Sequence, residues 1–397
     1  MRIFVLGDVF SFFFFMFSFK HFDSSLFRQG SLTVPHGEIP TPFFMPDATR
    51  ASIRGLSVAD IERTGVSAMV VNTFHLFLHP GMEIVRGAGG VHRFMNWSGP
   101  LLSDSGGYQV FSLVHKNSQM GTITEEGVHF RSPVDGSKHF LSPEKAIAIQ
   151  FDLGVDMMVC FDDPPPNGYS KERIRDAVDR TLRWAERCRV AYDYEVSERG
   201  LSLEQRPLLF GVVQGGEHLD LRRFCAERLT GIGFDGYGFG ARHVSEEGDF
   251  LSEVLSVTAQ ALPVESPRFA LGVGSPSDIV RCASFGWDMF DCVIPTREGR
   301  HGRLFVWEKD PKTLSCSDIL SSLDDFFSTF TVVRSSFRDD FSRVDSFCDC
   351  MLCTNHSRSY LRHLLRVGEP LGARLASEHN LTFYSQLMRV LRNDSQV

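Results

Sequence analysis

Residues Leu208 to Gly216 read LLFGVVQGG: six residues without a charge, then a glutamine and two glycines. A run this short is a strand rather than a helix, and the glycines mark a turn. The same form recurs seven more times, as TPFFMPDAT (41–49), SAMVVNTFH (67–75), PLLSDSGG (100–107), DMMVCFDD (156–163), FDGYGFGA (234–241), RFALGVGS (268–275) and MFDCVIPT (289–296). Several intervals between these runs carry helical spacing. Ile174, Val178, Leu182 and Ala185 recur at three or four residues in a stretch that starts near Ser170. Ser142 before Pro143, and Ser275 before Pro276, read as N-caps with proline at the first helical position, and Gly154 reads as a stop. Eight strands alternating with helices predict an α/β fold, a (β/α)8 TIM barrel. The expected division is an extension over 1–16, the barrel over 17–307, an insertion over 308–327, and a cysteine-bearing subdomain with closing helices over 328–397.

Composition fits that outline. A chain of 397 residues, 43% apolar and 23% charged, suits one large barrel with a satellite. A net charge of -8 argues against general affinity for nucleic acid, so any such contact must be local. The nine cysteines are clustered and unevenly spaced, which favours metal or free thiols over a disulfide framework. The opening MRIFVLGDVFSFFFFMFSF has the charge and apolar run of a signal peptide, but Asp8 interrupts it and no small-residue cleavage site follows. It is also too short to span a bilayer, so no membrane association is expected, and Met16 is an alternative start.

In a barrel of this kind the loops after the strands form one face, so polar residues at strand ends converge. Here the strand ends supply Asp104, Asp162, Asp163, Gln214 and Asp291. Each acid alone reads equally well as the cap of the following helix. Five polar residues on one rim read better as an active site.

Five stretches carry a specific resemblance: LLSDSGGYQVFSL (101–113), MVCFDDPPP (158–166), FGVVQGG (210–216), LGVGSPSDIVRCASFGWDMFDCVIPTREGRHG (271–302), and CDCMLC (348–353) with SRSYLRHLLRVGEPLGARLASEHN (357–380). In this order they resemble the queuine tRNA-ribosyltransferases, the tRNA-guanine transglycosylases of bacterial type, over nearly the whole chain. The resemblance implies exchange of the wobble guanine of tRNAs with GUN anticodons for a 7-deazaguanine base, queuine or preQ1, without cutting the RNA backbone. It also implies a cytoplasmic homodimer, with Tyr360 and His363 as candidates at the dimer surface.

Residue chemistry supports that reading. Breaking an N-glycosidic bond builds positive charge at C1′, which a carboxylate can stabilise or capture covalently. Asp291 resembles the family's nucleophile and Asp104 its general acid/base. Guanine offers N1–H and its exocyclic amine to a carboxylate, which suits Asp162, while its O6 and N7 suit Ser105 and Gln214. Tyr108 and Leu271 lie where the family stacks the base, with Leu271 in place of a more usual methionine. Arg297 and Arg300 are placed to hold flanking phosphates, and Arg303 is expected to be structural.

Cys348, Cys350 and Cys353 form Cys-x-Cys-x2-Cys, and three thiolates this close ask for a fourth ligand to close a structural, tetrahedral zinc site. Spacing slightly favours His356; the family pattern favours His379, which is the ligand expected here. Around the base, GARHVSEE (240–247) stands where many bacterial relatives carry smaller or apolar residues. Gly240 and Ala241 are expected to line the base pocket, with Arg242 and His243 beside its 7-substituent, which leans the choice toward queuine. A non-catalytic tRNA-binding subunit of the same family is the alternative reading; the presence of both Asp104 and Asp291 favours the enzyme.

Overall fold

Eight strands do form, and each is short because its apolar run is short: β1 Phe43–Pro46, β2 Met69–Val71, β3 Leu101–Ser103, β4 Met157–Val159, β5 Leu208–Val213, β6 Gly236–Phe239, β7 Arg268–Ala270 and β8 Met289–Cys292. The computed structural model describes residues 17–20 and 27–393; the extension expected over 1–16 lies outside the described residues. Neighbouring strands pair in parallel in the order β1-β8-β7-β6-β5-β4-β3-β2. A parallel bridge between Asp47 and Val70, with the Ala48 amide donating to the Val70 carbonyl at 2.7 Å, joins the two ends of the sheet. This is the barrel expected from the eight runs.

The helices start and stop where the sequence marks them. Ser142 caps Pro143–Leu153 and accepts from the Lys145 amide, and Gly154 ends that helix at φ 69°, a conformation open to glycine. Ser170 caps the long helix Lys171–Glu198, which buries Ile174, Val178, Leu182 and Ala185 against the barrel. Ser275 caps Pro276–Ser284.

Two antiparallel elements are added to the barrel. The hairpin Gln29–Val34 and Gly37–Thr41 sends Leu32, Val34 and Ile39 into the same apolar cluster as Phe43, Met45 and Met289. A three-stranded antiparallel sheet, Gly121–Ile123, Val128–Arg131 and Lys138–Leu141, is inserted after β3.

After β8 the chain adds its satellite. Strand Arg303–Trp307 pairs antiparallel with Phe327–Thr331. Between them, 308–326 forms a 3-10 turn, Pro311–Thr313, and a helix, Cys316–Ser321, opened by a capping box of Ser315 and Asp318. The Cys316 thiol faces the Val390 and Leu391 carbonyls, and the Ser277 hydroxyl donates to the Leu323 carbonyl, so the segment is strapped to the barrel. The helix Pro370–Leu391, buried along most of its length, packs on the helix Ile294–Arg300 that follows β8. Gly299 lets the two approach, since a Cβ there would meet Ala376 and Ser377 backbone at 2.8 Å.

Candidate active site

Alternate side chains of a barrel strand point inward. Phe43 and Met45 of β1, Leu102 of β3, Val212 of β5 and Met289 of β8 do so, forming one buried cluster. Two residues further along each strand the inward column ends in Asp47, Asp104, Gln214 and Asp291. The C-terminal face therefore carries a polar layer directly above an apolar one.

The two expected catalytic acids differ in their partners. Asp291 accepts one bond, from the Gly272 amide to Oδ1 at 2.7 Å. Among the described residues no donor is recorded to its Oδ2. Asp104 accepts four: Thr73 and Gly106 amides at 2.9 and 3.2 Å on Oδ1, and Asn72 with Gln109, the latter at 2.9 Å, on Oδ2. Burial pushes both carboxyls up to about 7, and Asp47 adds to the rise in each. One acid is open for bond formation and the other is fixed by a cradle.

The residues expected to read the base meet beside them. Gln214 Nε2 donates to Asp162 Oδ2 at 2.7 Å, while among the described residues the buried Gln214 Oε1 has no hydrogen-bond partner. Burial raises the Asp162 carboxyl to about 7, opposed by Gln214 and, more weakly, by Ser105. Gly240 is pressed against Gln214: a Cβ at that position would overlap Nε2. Ala241 follows with φ 71°, a left-handed conformation that a non-glycine residue adopts at a cost of order 1–3 kcal/mol. Leu271 packs on the inner cluster, one residue before the amide that holds Asp291. Tyr108 is 61% exposed and, with Pro164, Pro165, Asn167, Ala241 and Arg242, lines a cavity of about 340 Å³.

The comparisons bear on this constellation. The family model for queuine tRNA-ribosyltransferase matches residues 23–394. The queuine tRNA-ribosyltransferase of Lysinibacillus sphaericus is 44% identical over 365 residues, 92% of this chain and 87% of that one. Those of Halothermothrix orenii and Listeria innocua are 42% and 43% identical over 92% of this chain, covering 89% and 88% of their own. The chain belongs to the queuine tRNA-ribosyltransferase family.

Other residues of this queuine tRNA-ribosyltransferase relative fall into two groups. Arg297 and Arg300 lie on the helix after β8; Arg297 touches Glu298 at 3.2 Å, and Arg300 has its pKa lowered by burial and by Arg54 and Arg297. Arg54, Arg297 and Arg300 thus lie close enough to act on one another, with Asp47 as an opposing charge. Arg303 bonds the Thr329 hydroxyl, the structural place expected of it. Asp163 departs from expectation: it pairs with Arg180 of the long helix, and its amide donates to Thr181, so it is a strut rather than a rim acid. His243 turns toward Asp278, at 3.6 Å, and does not line the cavity.

The four expected metal ligands come together in one group that could hold an ion. Cys348, Cys350, Cys353 and His379 are buried, with ligand atoms all within 4.8 Å of one another. His379 Nδ1 lies 3.3 Å from Cys353 Sγ and 3.6 Å from Cys350 Sγ, and its Nε2 donates to the Phe305 carbonyl at 2.8 Å, which fixes the ring. His356 instead stacks on Tyr360, with ring centroids 4.9 Å apart. Three soft thiolates and one imidazole, closed to solvent, fit structural zinc.

Sequence reasoning missed Asp47, and the Asn72, Thr73 and Gln109 cradle. Asp47 ends the first quoted strand run in the same way that Asp104 ends the third; that parallel was the available signal.

Proposed function

We propose that the protein is a tRNA-guanine transglycosylase, a pentosyltransferase of queuosine modification working in the cytoplasm on the wobble guanine of GUN tRNAs. The observation that carries the reading is the contrast between Asp291, with an uncommitted carboxylate oxygen at the centre of the rim, and Asp104, fully cradled across from it. Asp291 attacks C1′ as guanine leaves, giving a ribosyl-aspartate ester; Asp104, released from part of its cradle, protonates the leaving base and later deprotonates the incoming one. Asp162 reads the N1 and amino edge, and Gln214 with Ser105 reads O6 and N7. Tyr108 and Leu271 sandwich the base. Arg297 and Arg300 hold flanking phosphates. Zinc, held by Cys348, Cys350, Cys353 and His379, cross-links the satellite and takes no part in the exchange.

The test is direct: incubate protein with tRNA and labelled guanine and follow label into RNA. Failure of folded, zinc-loaded protein to incorporate label would favour the non-catalytic tRNA-binding subunit instead.

The finer reading is that queuine enters in preference to preQ1. The cavity beside Tyr108 and Ala241 offers space beyond the base, and Arg242 on its wall repels a cationic aminomethyl group. Competition kinetics decide it: kcat/KM for preQ1 more than tenfold above that for queuine, about 1.4 kcal/mol, defeats the preference. Assembly as a homodimer through the Tyr360 and His363 surface is proposed with it; a fully active monomer in light scattering would remove it.

A further inference from the structure

Asp47 has no role in the exchange as described, yet it shares a layer with both catalytic acids. It follows β1, where Met45 lies opposite Asp291 in the ladder with β8, and it bridges Val70 of β2 on its other side. Alternation from the inward Phe43 and Met45 turns its side chain to the barrel axis. Oδ1 accepts the Thr49 hydroxyl at 2.7 Å, and Thr49 is the only hydrogen-bond partner recorded for it among the described residues. Arg300 faces it with opposite charge, while Asp47 itself makes ionisation of Asp104 and Asp291 harder. A third acid in this layer adds repulsion and desolvation, so its place is better explained by binding than by stability.

We propose that Asp47 accepts a hydrogen bond from a 2′-hydroxyl of the RNA strand, on the reacting ribose or on the ribose of the nucleotide 5′ to it, and thereby selects ribose over deoxyribose. The proposal rests on Asp291 as nucleophile. Asp291 must come within bonding distance of C1′, and C2′ is one bond away, so a 2′-hydroxyl arrives beside whichever acceptor flanks Asp291. Asp104 is already bonded to four donors; Asp47 has acceptor capacity to spare. A bond from this hydroxyl to a carboxylate strengthens as C1′ becomes cationic. The same hydroxyl is what separates RNA from DNA.

The test uses an anticodon stem-loop RNA, all ribose, and two versions each lacking one of the two 2′-hydroxyls. Labelled guanine incorporation gives kcat/KM for wild type, Asp47→Val and Asp47→Asn. Wild type is expected to lose roughly 10- to 100-fold on one deoxy RNA. Asp47→Val should lower the all-ribose rate by a similar factor and show no further loss on that RNA, which identifies the ribose concerned. Asp47→Asn keeps the shape and an acceptor oxygen, and should retain part of the discrimination even if the valine variant folds poorly. Equal deoxy penalties in wild type and both variants, or no penalty in wild type, overturn the proposal. Absence of exchange by wild type on all-ribose RNA, or an undiminished rate in Asp291→Asn, overturns the nucleophile assignment instead.

Discussion

Gln214 and Asp162, 52 residues apart in sequence, are joined by a 2.7 Å hydrogen bond from the amide nitrogen to the carboxylate. The two groups assigned to opposite edges of guanine thus orient each other before any base arrives. Preorganisation of this kind lowers the cost of ordering the pocket on binding. It also makes the pocket sensitive to whatever touches Gln214.

Gly240 is that contact. A methyl group there collides with Gln214 Nε2, so Gly240→Ala should displace the amide without touching the base. The expected result is a KM for guanine raised about tenfold, the cost of one misplaced hydrogen bond, with the KM for tRNA little changed. Equal KM values for guanine in the two proteins would show that Gln214 does not read it.

Asp291→Asn should abolish the protein-RNA band on a denaturing gel after trapping with a slowly released base, and slow exchange by several orders of magnitude. It should also stabilise the fold. The Asp291 carboxyl is raised from 3.8 to about 7, so the folded chain retains a proton that the unfolded chain gives up in this window. Stability is therefore present at low pH and is lost as pH rises from about 4 to 7. Each unit of such a shift is about 1.4 kcal/mol, and because the side chain is partly solvated a gain of roughly 1–3 kcal/mol is expected in the variant at pH 8. Denaturant unfolding at pH 5 and pH 8 measures it.

Activity should follow the opposite sign. Attack needs ionised Asp291 and protonation of the leaving guanine needs protonated Asp104, both displaced to about 7. A bell-shaped kcat/KM profile centred near neutrality is expected, with values belonging to the coupled pair. A profile flat between pH 5 and 9 would exclude these acids from the rate-determining step.

Cys350→Ala should lose zinc and the satellite's fold together, whereas His356→Ala should keep a full complement of zinc, because His356 is stacked on Tyr360 away from the thiols. Metal analysis of the purified variants distinguishes these.

Arg300→Ala should raise the KM for tRNA more than it lowers kcat, and reduce the slope of log affinity against log salt by about one phosphate contact. An unchanged salt slope would return Arg300 to a purely structural role.

Much of this molecule was legible before its coordinates. The barrel strands could be read because each apolar run stops at a turn, and Ser142, Ser170 and Ser275 announce their helices through side chains that bond the third amide ahead. Position in the site was less legible. Asp162 and Asp163 are adjacent acids after one strand, yet one turns to Gln214 and the other to Arg180, a choice made by a helix that starts several residues later. His243 was drawn to Asp278 by a helix from the next repeat. Asp47 was not singled out at all; only the pairing of β1 with β8 brings it into the layer of Asp291. Such outcomes depend on distant packing, which a local pattern does not carry.

The helix Pro370–Leu391 has a consequence for the order in which the enzyme matures. It brings His379 to the thiols, bonds the Pro295 carbonyl through Asn380 and the Gly274 carbonyl through Tyr384, and reaches Asp60 and Arg63 of the first barrel helix through Arg374 and Glu378. Both catalytic acids leave the ribosome well before it. A nascent chain therefore holds both acids before His379 can reach the thiols and before the contacts to the Pro295 and Gly274 carbonyls can form. The helix after β8, which carries Arg297 and Arg300, therefore gains its packing partner only once this segment has been made.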